Sequence, residues 1–345
     1  MRKSLLHRVK DRMLRPRRFK EIQHAFWIMM LAFAPSTVVF CVFQFSITND
    51  AVTLMCRLDR TAITGHDFTP LFNYYISWVA HVLISLGVSL TAAQNAFRNT
   101  SVPKIRAMKR FRLMGFLVAL FFVFLADAVH TKLAVLTHER LFAVLSAEQA
   151  LSPLFRQDFV PLSTRPTGFS FFVVSGIAVA LWATATIVLC ASKFLAEFQQ
   201  RKGEATPTDR IAAFTEALEA LRSHFLALSL VLVTSTLGTV AYLRIPLGFL
   251  GPAERGNFKL VSDAVGLIWG VMFSLTLVFL SIYPFIVLRK SFNALEMDSR
   301  GAKGEILRRW LRKNQDLLHV PANLQVVLSM LSPAAVAMLA NLASR

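Results

Sequence analysis

The sequence predicts an all-α integral membrane protein, a bundle of six transmembrane helices with cytoplasmic helical extensions and basic amphipathic helices at both ends. Three observations predict it. Hydrophobic residues make up 55% of the 345-residue chain and charged residues 17%, where a soluble domain carries about 45 to 50% and 25%; too few charges remain to solvate the apolar surface. Six stretches reach the roughly 20 mostly apolar residues needed to cross about 30 Å of hydrocarbon. Finally, the net charge of +18 is unevenly placed: 29 of the 38 Lys and Arg fall before Phe26, in 97–112, in 193–222 and after Val287, and the intervening loops are poor in them. Lys and Arg concentrate in cytoplasmic loops, so this alternation predicts that both termini are cytoplasmic.

Residues 1–24 open the chain with MRKSLLHRVKDRMLRPRRFK. Leu5, Leu6, Val9 and Met13 share one flank and Arg and Lys fill the other, the pattern of a helix lying on an anionic leaflet; Arg17 and Arg18 are its candidate lipid contacts. The first span, Ala25 to Ile47, carries Pro35 and ends in Phe-Ser-Ile without a small-residue cleavage site, so it reads as an uncleaved anchor. The second runs from Leu71 to about Ala93, with Tyr74, Tyr75 and Trp78 at the headgroup level. The third covers Leu113 to Leu136, the fourth Phe171 to about Phe194, the fifth about His224 to Ile245 and the sixth Leu260 to Val287. Together they form a six-span domain over residues 25–288.

Between spans four and five, Gly203 and Pro207 punctuate a linker in which Thr208 or Asp209 offers an N-cap. The expected result is a helical hairpin extending both spans into the cytoplasm. In the tail, residues 289–345, Ile306, Leu307, Trp310, Leu311 and Leu318 share a flank ringed by Arg308, Arg309, Arg312 and Lys313, a second basic amphipathic helix and a candidate contact for an anionic lipid or ligand. The stretch after Pro321 is long enough to span. Gln325, Ser329, Ser332, Asn341 and the mid-run Pro333 favour a cytoplasmic or interfacial helix, packed on the bundle or on copies of itself, over a seventh span.

Ionisable groups inside spans are costly and are the first places to look for function. His81 falls about 15 Å into span two, near mid-bilayer. Asp127, His130 and Lys132 on span three, Arg244 on span five and Asp263 on span six share outer depths and form a candidate polar cluster, in which Asp127 or Asp263 pairs with Arg244, Lys132 or His130. That cluster is either a gate or vestibule, or a set of interhelical ion pairs. Thr234, Ser235, Thr236, Gly238 and Thr239 form a lightly polar stretch that either lines a narrow pore or bonds to neighbouring helices. Gly176, Ala180 and Thr184 recur every four residues, a stripe that lets helices approach closely, and Trp182 fills a gap in the middle of the same span.

Catalytic signatures are lacking: no P-loop, no GxGxxG, no GxSxG and no HExxH occurs. His81 and His130 differ by roughly 10 Å in depth, which argues against a haem held between helices. Cys41, Cys56 and Cys190 make neither a disulfide framework nor a metal spacing. No catalytic residue, metal or cofactor is therefore expected. Ion-coupled transport ordinarily uses acidic groups at the midplane, and none falls there. The expected function is a non-enzymatic, homo-oligomeric channel or pore of a bacterial inner membrane, with an organelle inner membrane as the alternative setting. An anionic lipid, nucleotide or oligonucleotide would gate it from the cytoplasm, as in a membrane-damaging defence effector. A small-solute transporter or exporter using His81 is the second expectation, and a scaffold that recruits partners through its tails is the third.

Overall fold

The computed structural model describes residues 68–100, 169–200, 206–244, 247, 252–299, 305–313 and 332–339. The predicted first and third spans, the basic N-terminal segment with Arg17 and Arg18, and Asp127, His130 and Lys132 lie outside the described residues. Those described form an all-helical structure with no strand. Its elements are α1 (Phe68–Thr100), α2 (Phe169–Gln200), α3 (Pro207–Arg244), α4 (Pro252–Ser299), α5 (Glu305–Lys313) and a short α6 (332–339). Three of them contain stretches long and apolar enough to cross a membrane: Ile76–Ala96, Pro207–Tyr242 and Ser262–Ser299. On α2 the described apolar stretch, Gly176–Ser192, is shorter.

The four long helices pack around one core. Ala180, Leu181, Ala183 and Val188 of α2, Phe214, Leu228 and Leu232 of α3, and Met272 and Leu277 of α4 are almost entirely buried. By contrast, α1 and α4 turn Ile76, Leu83 and Leu90, and Val271, Leu275, Val278, Ile282 and Phe285, outward. The α4 residues follow one another at steps of four and three, a continuous apolar stripe of helical period. In a soluble protein such a stripe would be an association surface or a liability; on a membrane span it needs no polar cover.

Two helix boundaries differ from those the sequence predicts. The cap of α3 is Thr206, not Thr208 or Asp209: its Oγ1 accepts from the Asp209 amide at 3.2 Å, and Asp209 Oδ2 accepts from the Thr206 amide at 3.2 Å and from its hydroxyl at 2.7 Å. This reciprocal arrangement satisfies the orphan amides of a helix start, and Pro207 at the first helical position has no amide to satisfy. The helix that carries the sixth predicted span does not stop at Val287: α4 runs from Pro252 through Pro284 to Ser299, a length of 48 residues, about 72 Å at 1.5 Å per residue. Of the residues after Pro321, those described form α6, which packs on the bundle beside the uncharged middle of α3 and α4: Ser332 Oγ is 2.9 Å from Ser229 Oγ and the Ala334 amide donates to Ser274 Oγ at 3.0 Å.

Candidate functional site

At one end of the bundle, named here the dock end, α3 and α4 run on past Arg222 and Arg289. There α5 lies across both. Leu307 and Leu311 are buried, and Trp310 packs edge-on against Phe214 of α3, with ring centroids 6.0 Å apart, and against Phe292 of α4 at 6.5 Å; Phe214 and Phe292 are themselves 6.0 Å apart. Such aromatic contacts favour edge-to-face and tilted geometries because ring edges are positive and faces negative. Leu307, Trp310 and Leu311 of the apolar flank read from the sequence thus pack on protein, whereas Ile306 is exposed; Leu318 lies outside the described residues. Arg308, Arg309, Arg312 and Lys313 all face outward. Their described carboxylate contact is Glu305 to Arg309 at 3.3 Å, between side chains 78% and 83% exposed, a pair that contributes little in water.

Beside the dock, Arg210 of α3 pairs with Asp298 of α4 through Nη1. Arg210 is mostly buried, and its Nε and Nη2 have no hydrogen-bond partner among the described residues. Sequence reasoning missed this pair because each residue stands at an unremarkable position in a charged segment; only the continuation of α4 to Ser299 brings them together.

At the opposite end, Asp263 of α4 accepts a hydrogen bond from Arg244 Nη2 of α3 at 2.5 Å, with both side chains largely buried. Of the cluster read from the sequence, these two are brought together. His81 of α1 lies against Gly238 of α3, six residues from Arg244 and so about 9 Å along the helix. Its Nδ1–H donates to the Ser77 carbonyl one turn back at 2.5 Å, within its own helix rather than across to another.

The threonine stretch turns inward. Thr236 is fully buried and donates to the Leu232 carbonyl at 2.8 Å; Thr234, 5% exposed, donates to the Leu230 carbonyl at 2.9 Å. Both hydroxyls are bonded within α3. Ser235 instead reaches Ser85 of α1, Oγ to Oγ at 3.4 Å. Ser89 donates to the Gly176 carbonyl of α2 at 2.8 Å, and a side chain at Gly176 would meet Ser85 Oγ at 3.3 Å. Ala180 and Thr184 continue the Gly176 stripe in full burial, with Thr184 donating to the Ala180 carbonyl at 2.9 Å. Trp182 is half-buried and packs on the same core.

Between α1 and α3 lies a cleft of about 390 Å³ lined by Ile84, Gly87, Val88, Thr91, Asn95 and His224, among others. His224 forms part of its wall and is tied by Nδ1 to the Ala220 carbonyl at 2.8 Å. Among the described residues no three His, Cys, Asp or Glu gather to hold a metal ion. No protein-family model, curated protein or solved structure matches the chain.

Proposed function

We propose that the chain is a subunit of a homo-oligomeric membrane channel, opened or closed by an anionic ligand at the dock end. The observation that carries the reading is mechanical: α5 grips α3 and α4 while holding four cations outward, and both gripped helices run without interruption into the apolar bundle. A phosphate-bearing ligand or anionic headgroup seated on Arg308, Arg309, Arg312 and Lys313 would act on α5, and through it on two helices at once. The positive-inside distribution places the dock end in the cytoplasm of a plasma membrane, with the predicted first and third spans completing six. The outward stripe on α4 offers an apolar seam for further copies.

Ion flux through liposomes holding the purified protein tests this. Flux is expected on adding one of three probes: anionic lipid in the bilayer, a cyclic dinucleotide, or a short oligonucleotide. The variant Arg308→Ala/Arg309→Ala/Arg312→Ala/Lys313→Ala is expected to lose that response and to keep its helix content, since none of the four side chains is buried. No flux with any of the three would sink the proposal.

A further inference from the structure

We infer that the groove between α3 and α4 is a built docking site for α6, and that α5 and α6 each hold α3 to α4, at two different levels. The inference uses the reading of α3 and α4 as membrane spans and does not depend on conductance.

The groove admits α6 at close range. Gly270 of α4 faces α6 so closely that a Cβ there would stand 2.6 Å from the Pro333 carbonyl oxygen and 2.8 Å from Ala337 Cβ. No other residue fits without parting the helices. Pro333 and Ala337 turn toward the groove, Ala337 with 0% exposure, whereas Met338 and Leu339 face outward at 58% and 63%. The groove also meets polar groups of α6: Ser274 Oγ accepts from the Ala334 amide, and Ser332 meets Ser229. A polar group left without a partner in hydrocarbon is costly, so hydroxyls placed opposite this backbone, beside a glycine that admits it, are specific to this occupant.

Depth follows from the helices themselves. Measured along α3 and α4 from the Arg244–Asp263 pair at 1.5 Å per residue, Ser229 lies about 22 Å away, Ser274 about 16 Å and Gly270 about 10 Å. The contacts of Ser332, Ala334 and Ala337 take these levels in the same order. α6 therefore runs parallel to α3, away from the dock end, along a part of α4 that has no charge from 264 to 288. α5 grips the same two helices through Phe214 and Phe292, so α6 and α5 fasten the pair inside and beyond the apolar run.

The test uses the full chain in lipid nanodiscs, with Cys41→Ser, Cys56→Ser and Cys190→Ala removing the native thiols. Oxidation of Ser229→Cys/Ser332→Cys is expected to close a bond within one chain, detected by peptide mass. Bonds that form only between chains, or no bond at all, would overturn the assignment. Independently of that pair, a charged maleimide should label Met338→Cys at least about tenfold more slowly than Lys313→Cys, because the water-soluble reagent is excluded from hydrocarbon; equal rates would contradict the inference. Adding Gly270→Leu should raise the rate at Met338→Cys, and an unchanged rate would show that the groove does not hold α6. A protein that passes no ions would leave all three readouts intact.

Discussion

The two halves of α3 and α4 make their closest contacts with different side chains. Between the Arg244–Asp263 pair and Arg222, helices approach through Gly176, Gly238, Gly266 and Gly270, with Ser85, Ser89, Ser229 and Ser274 supplying hydroxyls. Past Arg222 and Arg289, they meet through Phe214, Phe292, Leu307 and Trp310 and are tied by the Arg210–Asp298 pair. The difference matches the solvent. Lipid tails are as apolar as leucine, so helices in a bilayer gain by close van der Waals approach and interhelical hydrogen bonds. In water the removal of large apolar surface drives association. On the proposed reading, the packing changes where the bundle would leave the membrane, a sign independent of the charge count.

Three substitutions sharpen that comparison. The largest effect is expected at Phe214, 1% exposed at the centre of the dock: Phe214→Ala should cost about 3 kcal/mol, seen as faster hydrogen exchange in α5 while the apolar half of α3 keeps its protection. Next comes Gly266, where a Cβ would stand 2.4 Å from Val240 Cγ2. Gly266→Leu should cost about 2 kcal/mol by overpacking, lowering the thermal midpoint in micelles and leaving exchange in α5 unchanged. The smallest belongs to Thr236, whose hydroxyl returns to its own helix. For Thr236→Val a loss near 0.6 kcal/mol is expected, about the average of hydrogen bonds in membrane bundles; a loss of several kcal/mol would show that the hydroxyl serves a partner beyond this chain.

The apolar helices were readable from composition because lipid imposes a length and a polarity on any segment that crosses it. The same information could not say which surface an amphipathic helix meets. Ile306, Leu307, Trp310 and Leu311 share a flank whether they face a leaflet or two helices, and the structure uses all but Ile306 on protein. Ser332 and Pro333 were readable only as isolated residues; that Ser332 meets Ser229 and Pro333 lies opposite Gly270 needed the packing of α6 on α3 and α4. The serines on α1 were equally silent, since a hydroxyl in a span is read as incidental until a glycine such as Gly176 is seen opposite. Of the outer cluster, Arg244 and Asp263 were available as one pairing among several, and choosing between them required the crossing of α3 and α4. Arg210 and Asp298 lie 88 residues apart, and no local pattern links them.

A depth profile along α4 tests the membrane boundary most directly. Val278, 36% exposed, and Met297, 70% exposed, are both apolar and outward, on either side of Arg289. With a nitroxide at each position in lipid nanodiscs, a water-soluble nickel complex should relax the label at Met297 strongly and the label at Val278 hardly at all, with the change falling near Arg289. Equal access at both positions would mean that α4 does not leave the membrane there, and would contradict the account.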